Sequence, residues 1–403
     1  MTPGASPASG TVGEVFRVFL RLGLTSFGGP IAHLAYFREE FVKRRGWLEE
    51  AQFAQLLGLC QFLPGPASSQ MGFAIGLFRS GWRGALAAFA AFTLPSVLLM
   101  FGFAALAPHL GSGLGAAAVH GLKLVAVVVV AHALVGMVRQ LTPDLPRALI
   151  AVGAAALVLL AGKAWTQLVA IALGGLLGLW LCRHVATPAA LALPLRYGRR
   201  AGSVALVLFL VGLAAALAWQ ATGPPTAGAL AAAFYRSGAL VFGGGHVVLP
   251  LLQQSVVDAG WIAPDTFLAG YGAAQAVPGP MFSLAAFLGA EVPVGLPAAA
   301  GALIALLSLF APGLLLLVAV LPMWASLARR PWAAHAMAGV NAAVVGLLAA
   351  AFYDPVWTQG VRGLLDLGIA LVGLGLLMAT RIAAAWVVLW CVAATVAAAA
   401  VAV

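Results

Sequence analysis

The chain has 403 residues, 63% of them hydrophobic and 8% charged, with a formal net charge of +10 and a mean hydropathy of +1.05. Soluble domains carry about a quarter charged residues, so this composition excludes a water-soluble globular protein and indicates a polytopic membrane protein. The positive surplus does not call for nucleic acid, because the basic residues sit in short loops between apolar runs, where anionic lipid attracts them.

The N-terminal MTPGASPASG is short and polar, and Glu14, Arg17 and Arg21 interrupt the apolar run behind it, so no signal peptide is expected. That run leads to Ser26-Phe27-Gly28-Gly29-Pro30 and then to a basic loop, 36 to 50, with Arg38, Lys43, Arg44 and Arg45. Segment 51 to 78 carries Pro64-Gly65-Pro66 near its middle and is followed by Arg79 and Arg83. Lys123 lies inside the apolar run 115 to 138, where a charge costs about 2.5–3.5 kcal/mol. No acid stands in its own or the adjacent spans, and between Glu50 and Asp258 the sole acid is Asp144. Two partners for Lys123 stay open: a mobile oxyanion, or Glu39 or another acid brought close by the fold. His120 is near Lys123 on one helix face, and His132 is about half a turn round. The basic stretch 183 to 202 precedes a linking helix at 203 to 220. Cys60, Cys182 and Cys391 lie in apolar stretches without metal spacing and read as small buried hydrophobes. Asp354, Asp366 and Glu291 lie near predicted helix ends and read as interfacial, as do tryptophans 47, 261, 324, 332 and 357.

The second half repeats the first. Phe27-Gly28-Gly29-Pro30 matches Phe242-Gly243-Gly244-Gly245, Gly46-Trp47 matches Gly260-Trp261, and Phe53 matches Phe267. Gln61 with Pro64-Gly65-Pro66 matches Gln275 with Pro278-Gly279-Pro280, Pro95 matches Pro312, and Gly121 matches Gly339, at an offset that drifts by only a few positions. This order indicates a duplicated unit. Residues 1–200 hold 16 of the 21 Lys and Arg, and the counterpart of loop 36 to 50, at 250 to 265, has none. By the positive-inside rule the first unit's loops are cytoplasmic and the matching loops external, so the repeats are inverted. The expected fold is all-α, with two inverted repeats, broken or re-entrant helices and about 10–13 hydrophobic segments, because lipid forces every backbone amide to find a partner within its own segment. The expected division is 1–182 for the first repeat, 183–228 for a basic linker with its linking helix, and 229–403 for the second repeat.

Both flanks of 51 to 78 are basic and both flanks of 265 to 290 are not. Two half-helices folding back at each Pro-Gly-Pro fit this pattern, with a kinked full span as the alternative. A broken helix leaves open amides on its C-terminal half, here at Ala67, Ser68, Ser69 and Gln70 and at Met281, Phe282, Ser283 and Leu284. With the positive end of the helix dipole they suit an anion. His33 and His246 follow the two Gly-rich tips, as packing or proton-relay residues. No nucleotide-binding P-loop, serine-hydrolase elbow or zinc-protease motif occurs, so neither an enzyme nor an ATP-driven pump is expected, and no cofactor is called for.

The motifs SFGGPIAHLAYFREEFVKRRGWL, QFLPGPASSQMGFAIG, FTLPS, VFGGGHVVLPLL and QAVPGPMFSLAAFLGAE resemble the chromate ion transporter family in its long, two-domain form, from about Val15 to Val345. That resemblance implies a multi-pass carrier of the cytoplasmic (inner) membrane. It would expel chromate, a divalent tetrahedral oxyanion shaped like sulfate, on the proton gradient or membrane potential and so confer chromate resistance. Transport of sulfate or a related oxyanion, even inward, is the alternative. The implied partners are the oxyanion, the lipid bilayer and, as a candidate coupling ion, the proton; the oligomeric state is not given. Carried over by motif, the substrate positions are Gly28, Gly29, Pro30, His33, Pro64, Gly65, Pro66 and Gln70, with Gly243, Gly244, Gly245, His246, Gln275, Pro278, Gly279 and Pro280 in the second unit. Ser68, Ser69, Ser283 and Lys123 join them from the reading of the open amides and the buried charge. Two asymmetries stand out: Gly245 replaces Pro30, and Asn341 replaces Lys123.

Overall fold

The computed structural model describes residues 10–27, 29–110, 112–161, 166–185, 195, 197–219, 224–242, 245–327, 329–379 and 384–401. Every regular element among them is helical. The first unit comprises α1 (Val12–Thr25), α2 (Gly29–Arg38, running into a π turn at Glu39–Arg44), α3 (Glu50–Phe62), α4 (Ala67–Leu106), α5 (Gly113–Leu141), α6 (Leu145–Ala161) and α7 (Thr166–Leu181). The linking helix α8 covers Arg199–Ala218. The second unit repeats this order with α9 (Ala227–Ala239), α10 (Val248–Leu252, with a π turn at Gln253–Val257), α11 (Pro264–Ala276), α12 (Leu284–Glu291), α13 (Ala298–Val320), the single turn α14 (Trp324–Leu327) and α15 (Pro331–Ala351). The short α16 (Thr358–Gly360), then α17 (Leu364–Ala379) and α18 (Ala384–Val401), complete it.

Among the described residues six stretches are long and apolar enough to cross a membrane, and four further apolar helices are shorter. One long stretch, Ala67–Leu110, is not a single rod. Gly81 (φ 66°, ψ −158°) reverses the chain within α4. The two arms pack so closely that a Cβ on Gly76 would overlap the Gly84 carbonyl oxygen, and Gly289 and Gly301 repeat this approach between α12 and α13. The arm before Gly81 therefore turns back, and its end meets the loop that precedes α3. The Arg79 guanidinium lies 4.8 Å over the Trp47 ring, and Arg79 also pairs with Glu14 at 3.3 Å. A continuous helix from Glu50 to Arg79 would instead place its ends about 40 Å apart. Both segments of the first unit, α1–α2 and α3 with the first arm of α4, are thus re-entrant hairpins. Glu14, Arg45, Trp47 and Arg79 gather at one face, where Glu14 pairs with Arg45 at 3.6 Å. The Asp144–Arg147 pair and the His184–Asp144 bond (2.9 Å) join the α5–α6 loop to the end of α7. The Arg147 guanidinium holds the Asp144 carboxyl well below the usual carboxylate range.

The two units exchange helices. Helix α5 packs against α17 and α18, and α15 packs against α6 and α7. A Cβ on Gly121 would stand 2.7 Å from the Val392 Cα, and one on Gly339 would overlap the Gly174 carbonyl. Small residues allow such approach where no hydrophobic effect separates helix from lipid. Gly339→Val is therefore expected to cost about 1–3 kcal/mol or more through overpacking, read as a lower melting temperature of the detergent-solubilised protein.

Three expectations are corrected. Trp47 and Trp324 are buried rather than interfacial: Trp47 stacks on Phe41 (5.1 Å), and Trp324 packs on Phe62 (5.4 Å) and donates to Gln55. Asp366 is buried in the first turn of α17, where it accepts from His120 and from the Arg362 amide. The linking helix begins at Arg199, inside the stretch read as basic linker, half of which lies outside the described residues.

Candidate anion site at the broken helix tips

Four chain breaks meet in two pairs, and the two units are stitched across each pair. The Gly65 amide donates to the Val241 carbonyl at 2.7 Å, and the Gly279 amide donates to the Ser26 carbonyl at 3.0 Å. Ser26 and Val241 each stand directly before the Phe-Gly-Gly of their unit, so these bonds are one contact made twice, in opposite senses. Both glycines have positive φ, 119° at Gly65 and 95° at Gly279, which side chains avoid. Space is equally short: a Cβ on Gly65 would lie 2.8 Å from the Gly313 Cα, and one on Gly279 would lie 3.2 Å from the Phe92 oxygen and the Ser96 hydroxyl. Gly65→Ala is therefore expected to lower folded yield and transport together, and Gly279→Ala less so; size-exclusion profiles and flux assays on the same preparations measure both.

Around these stitches the polar groups fall into two sets. One set is consumed by the architecture. Gln70 is fully buried and donates from its carboxamide to both the Pro64 and Gly313 carbonyls at 2.9 Å, so it braces the Pro-Gly-Pro loop instead of offering protons to a guest. His33 Nε2 donates to the Ser26 carbonyl at 3.1 Å while its ring stands edge-on to Phe92. His246 contacts the Tyr271 hydroxyl at 2.7 Å, and Gln275 donates to the Met281 sulfur at 3.0 Å.

The second set has no partner. Among the described residues the hydroxyls of Ser26, Ser69, Thr93 and Ser283 are buried without a hydrogen bond, as are His33 Nδ1 and Gln70 Oε1. Ser69 and Ser283 stand at the same place in their units, three residues after the second proline of each Pro-Gly-Pro. Buried polar groups in proteins are almost always paired, so an unpaired cluster of donors built twice by one motif marks a place for a polar guest. Open helix amides at Ala67, Ser68 and Ser69 add donors and the positive end of the α4 dipole. Ser26 and Thr93 were not singled out as site residues from the sequence. A threonine two residues before Pro95 in an otherwise apolar stretch was the available signal.

Of the sequence candidates, Pro64, Gly65, Pro66 and Gln70 are brought against Val241 and Gly313 of the second unit, and Gly279, between Pro278 and Pro280, against Ser26, Phe92 and Ser96 of the first; Ser68, Ser69 and Ser283 are buried in the turns that follow. Gly29 opens α2 and Pro30 follows it, while Gly245 opens the 3-10 turn before α10. Gly28, Gly243 and Gly244 lie outside the described residues. Lys123 is not left without an acid: its ammonium pairs at 2.6 Å with Asp265, in the first turn of α11, and Arg362 approaches the other Asp265 oxygen at 3.8 Å. The fold supplies the counter-charge from the other unit, which removes the need for an oxyanion to neutralise Lys123. At this point α11 lies on α5, with Gly272 against the Leu122 carbonyl. Helix α3 has no comparable packing on α15; Gln61 is exposed where its counterpart Gln275 is buried.

The architecture defines the class: a multi-pass membrane protein whose two inverted units bring broken helices together around a buried polar centre, a plan shared with secondary carriers. The chain belongs to the chromate transporter family, whose model matches residues 13–179 and 228–398. It is 29% identical to the "Probable chromate transport protein" of Synechococcus elongatus over 365 residues, 90% of this chain and 88% of that one. It is 28% identical to the "Chromate transport protein" of Cupriavidus metallidurans over 375 residues, 90% and 86% of the two chains. Against the protein of that name from Pseudomonas aeruginosa it is 28% identical over 311 residues, 73% and 70%. No solved structure matches the chain.

Proposed function

We propose that the chain exports chromate from the cytoplasm through the tips of its two inverted units, each face opening in turn. The carrying observation is the set of unpartnered hydroxyls at the tips, from Ser26, Ser69, Thr93 and Ser283, together with the open amides after Pro66. Hydroxyls and amides are donors, and a tetrahedral dianion accepts from several directions at once. The basic face that gathers Arg45, Arg79 and Arg147 is placed in the cytoplasm by the positive-inside rule. The exposed edge of α3, against the packed α11, supports a state whose tips are reached from that face. An inside-negative potential would drive a dianion outward with about 2.3 kcal/mol per charge per 100 mV. Protons have a candidate carrier in His33, whose unpaired Nδ1 would become a donor to the anion on protonation.

The test is chromate flux in proteoliposomes with the pH gradient and the potential imposed separately. Flux that follows the potential, rises further with the proton gradient and runs outward from the basic face is expected. No flux above protein-free vesicles under either gradient would overturn the proposal. Sulfate added to the same assay is expected to compete, since no group at the tips distinguishes two tetrahedral dianions.

A further inference from the structure

A second polar place lies away from the tips. Between α7, α8, α9 and the π turn Gln253–Val257 runs a crevice of two adjoining lobes, each of about 230 Å³, room for several waters. The outer lobe is bounded by Trp219, Trp261 and Asp258, and the inner by Gln167, Leu240 and Leu251. Arg236, Gln254 and Ser255 line both. The inner lobe has no acid among its lining residues.

Arg236 is the feature that needs an explanation. It sits ten residues into α9 from the Thr226 cap, about 15 Å along the helix, deeper than an arginine can easily reach back to water. It is half-buried, and among the described residues its one hydrogen bond is a long 3.5 Å contact to the Ala216 carbonyl. Among the described residues no carboxylate lies within ion-pair distance of it, in contrast to Lys123 with Asp265. A membrane-embedded cation without a counter-charge is costly and marks a functional place. Beside it, Gln167 is buried, holds the Pro250 carbonyl weakly at 3.3 Å and has an unpartnered carboxamide oxygen. The Pro250 carbonyl takes one N–H of the carboxamide, and the second N–H is left for the lobe. Ser237 and Ser255, 3.0 Å apart, complete the polar wall.

The two units differ at this arginine. Arg21 stands six residues before Phe27 as Arg236 does before Phe242, yet Arg21 is exposed. In the second unit α8 covers the corresponding face, with the Tyr235 hydroxyl donating to the Phe209 carbonyl at 3.1 Å.

We propose that Arg236, with Gln167, holds a tetrahedral oxyanion in the inner lobe, at a site separate from the tips; the Ser237 and Ser255 hydroxyls already donate to the Ala233 and Leu251 carbonyls and only line it. A guanidinium presents a planar fork that matches two oxygens of such a group. The oxyanion is either free in solution or the phosphate of an anionic lipid entering between α7 and α8. Radiolabelled sulfate binding to the detergent-solubilised protein, and phosphatidylglycerol retained through purification and counted by mass spectrometry, test the two sources. Arg236→Gln is expected to weaken one of them by about tenfold or more, the loss of a charge-assisted contact, with Arg236→Lys intermediate and melting temperatures of all variants matched. Loss of sulfate binding identifies a free anion, and loss of retained lipid identifies a headgroup. Sulfate and lipid both held at the wild-type level in folded Arg236→Gln would overturn the proposal. Ser69→Ala separates this site from the tips: sulfate binding that falls in Ser69→Ala and stays intact in Arg236→Gln speaks for the tips alone. Binding lost in Arg236→Gln but unaltered in Ser69→Ala supports the crevice even where the reading of the tips fails.

Discussion

Asp265→Asn is expected to damage the protein more than Lys123→Met, although the two residues form one ion pair. The Lys123 side chain is 4% exposed and that of Asp265 60%. Removing the lysine leaves a carboxylate that water solvates. Removing the aspartate leaves a buried ammonium without its carboxylate, and Arg362, which shares that carboxylate, is a cation and cannot replace it. Breaking a fully buried pair costs about 3–5 kcal/mol, and the exposure of Asp265 reduces this to about 1–3 kcal/mol here. Thermal unfolding in detergent should rank the proteins as wild type, Lys123→Met, then Asp265→Asn, with the double variant recovering most of the loss. Transport assayed on the same four proteins tells whether Lys123 touches the substrate. If it acts only through Asp265, the double variant recovers flux as well as stability; if flux stays lost while stability returns, Lys123 is a substrate contact.

Ser69→Ala and Ser283→Ala give the opposite signature. Each removes a buried hydroxyl that has no partner among the described residues, so folding should be unaffected or slightly improved, since desolvating an unpaired hydroxyl costs about 1–3 kcal/mol. A hydrogen bond from such a hydroxyl to a charged guest contributes about 1.5–3 kcal/mol, so chromate flux should fall by about 10- to 100-fold in each variant. Wild-type flux in both would exclude contact between these hydroxyls and the substrate. A fall in one alone would show that the two units hold the guest unequally.

The parts of this site legible in the sequence were those with local causes. Proline and glycine break helices wherever they stand, so both Pro-Gly-Pro loops and the register of the repeat could be read directly. Charges flanking 51 to 78 foretold that the segment returns to one face, which the contact of Arg79 with Trp47 bears out. What escaped had distant causes. Lys123 finds its acid 142 residues away, and Gln70 spends its protons on a carbonyl 243 residues away; composition carries no trace of either. His246 was paired with His33 for its nearness to a tip, yet it bonds Tyr271 while His33 bonds its own hairpin. Trp47 and Trp324 were assigned to the interface because tryptophan favours it, but the hairpins bury both.

The helix exchange also sets an order of events during synthesis. Helix α5 carries His120 and Lys123, whose acids are Asp366 and Asp265. The His120–Asp366 contact spans 246 residues, which a ribosome adds in about 12–50 s at about 5–20 residues per second. Asp265 follows Lys123 after 142 residues, and until then α5 lies in the bilayer without either acid; α17 and α18, which later sheathe it, come later still. The first half of the chain is therefore a waiting intermediate, and the stage most open to proteolysis falls before α17 emerges.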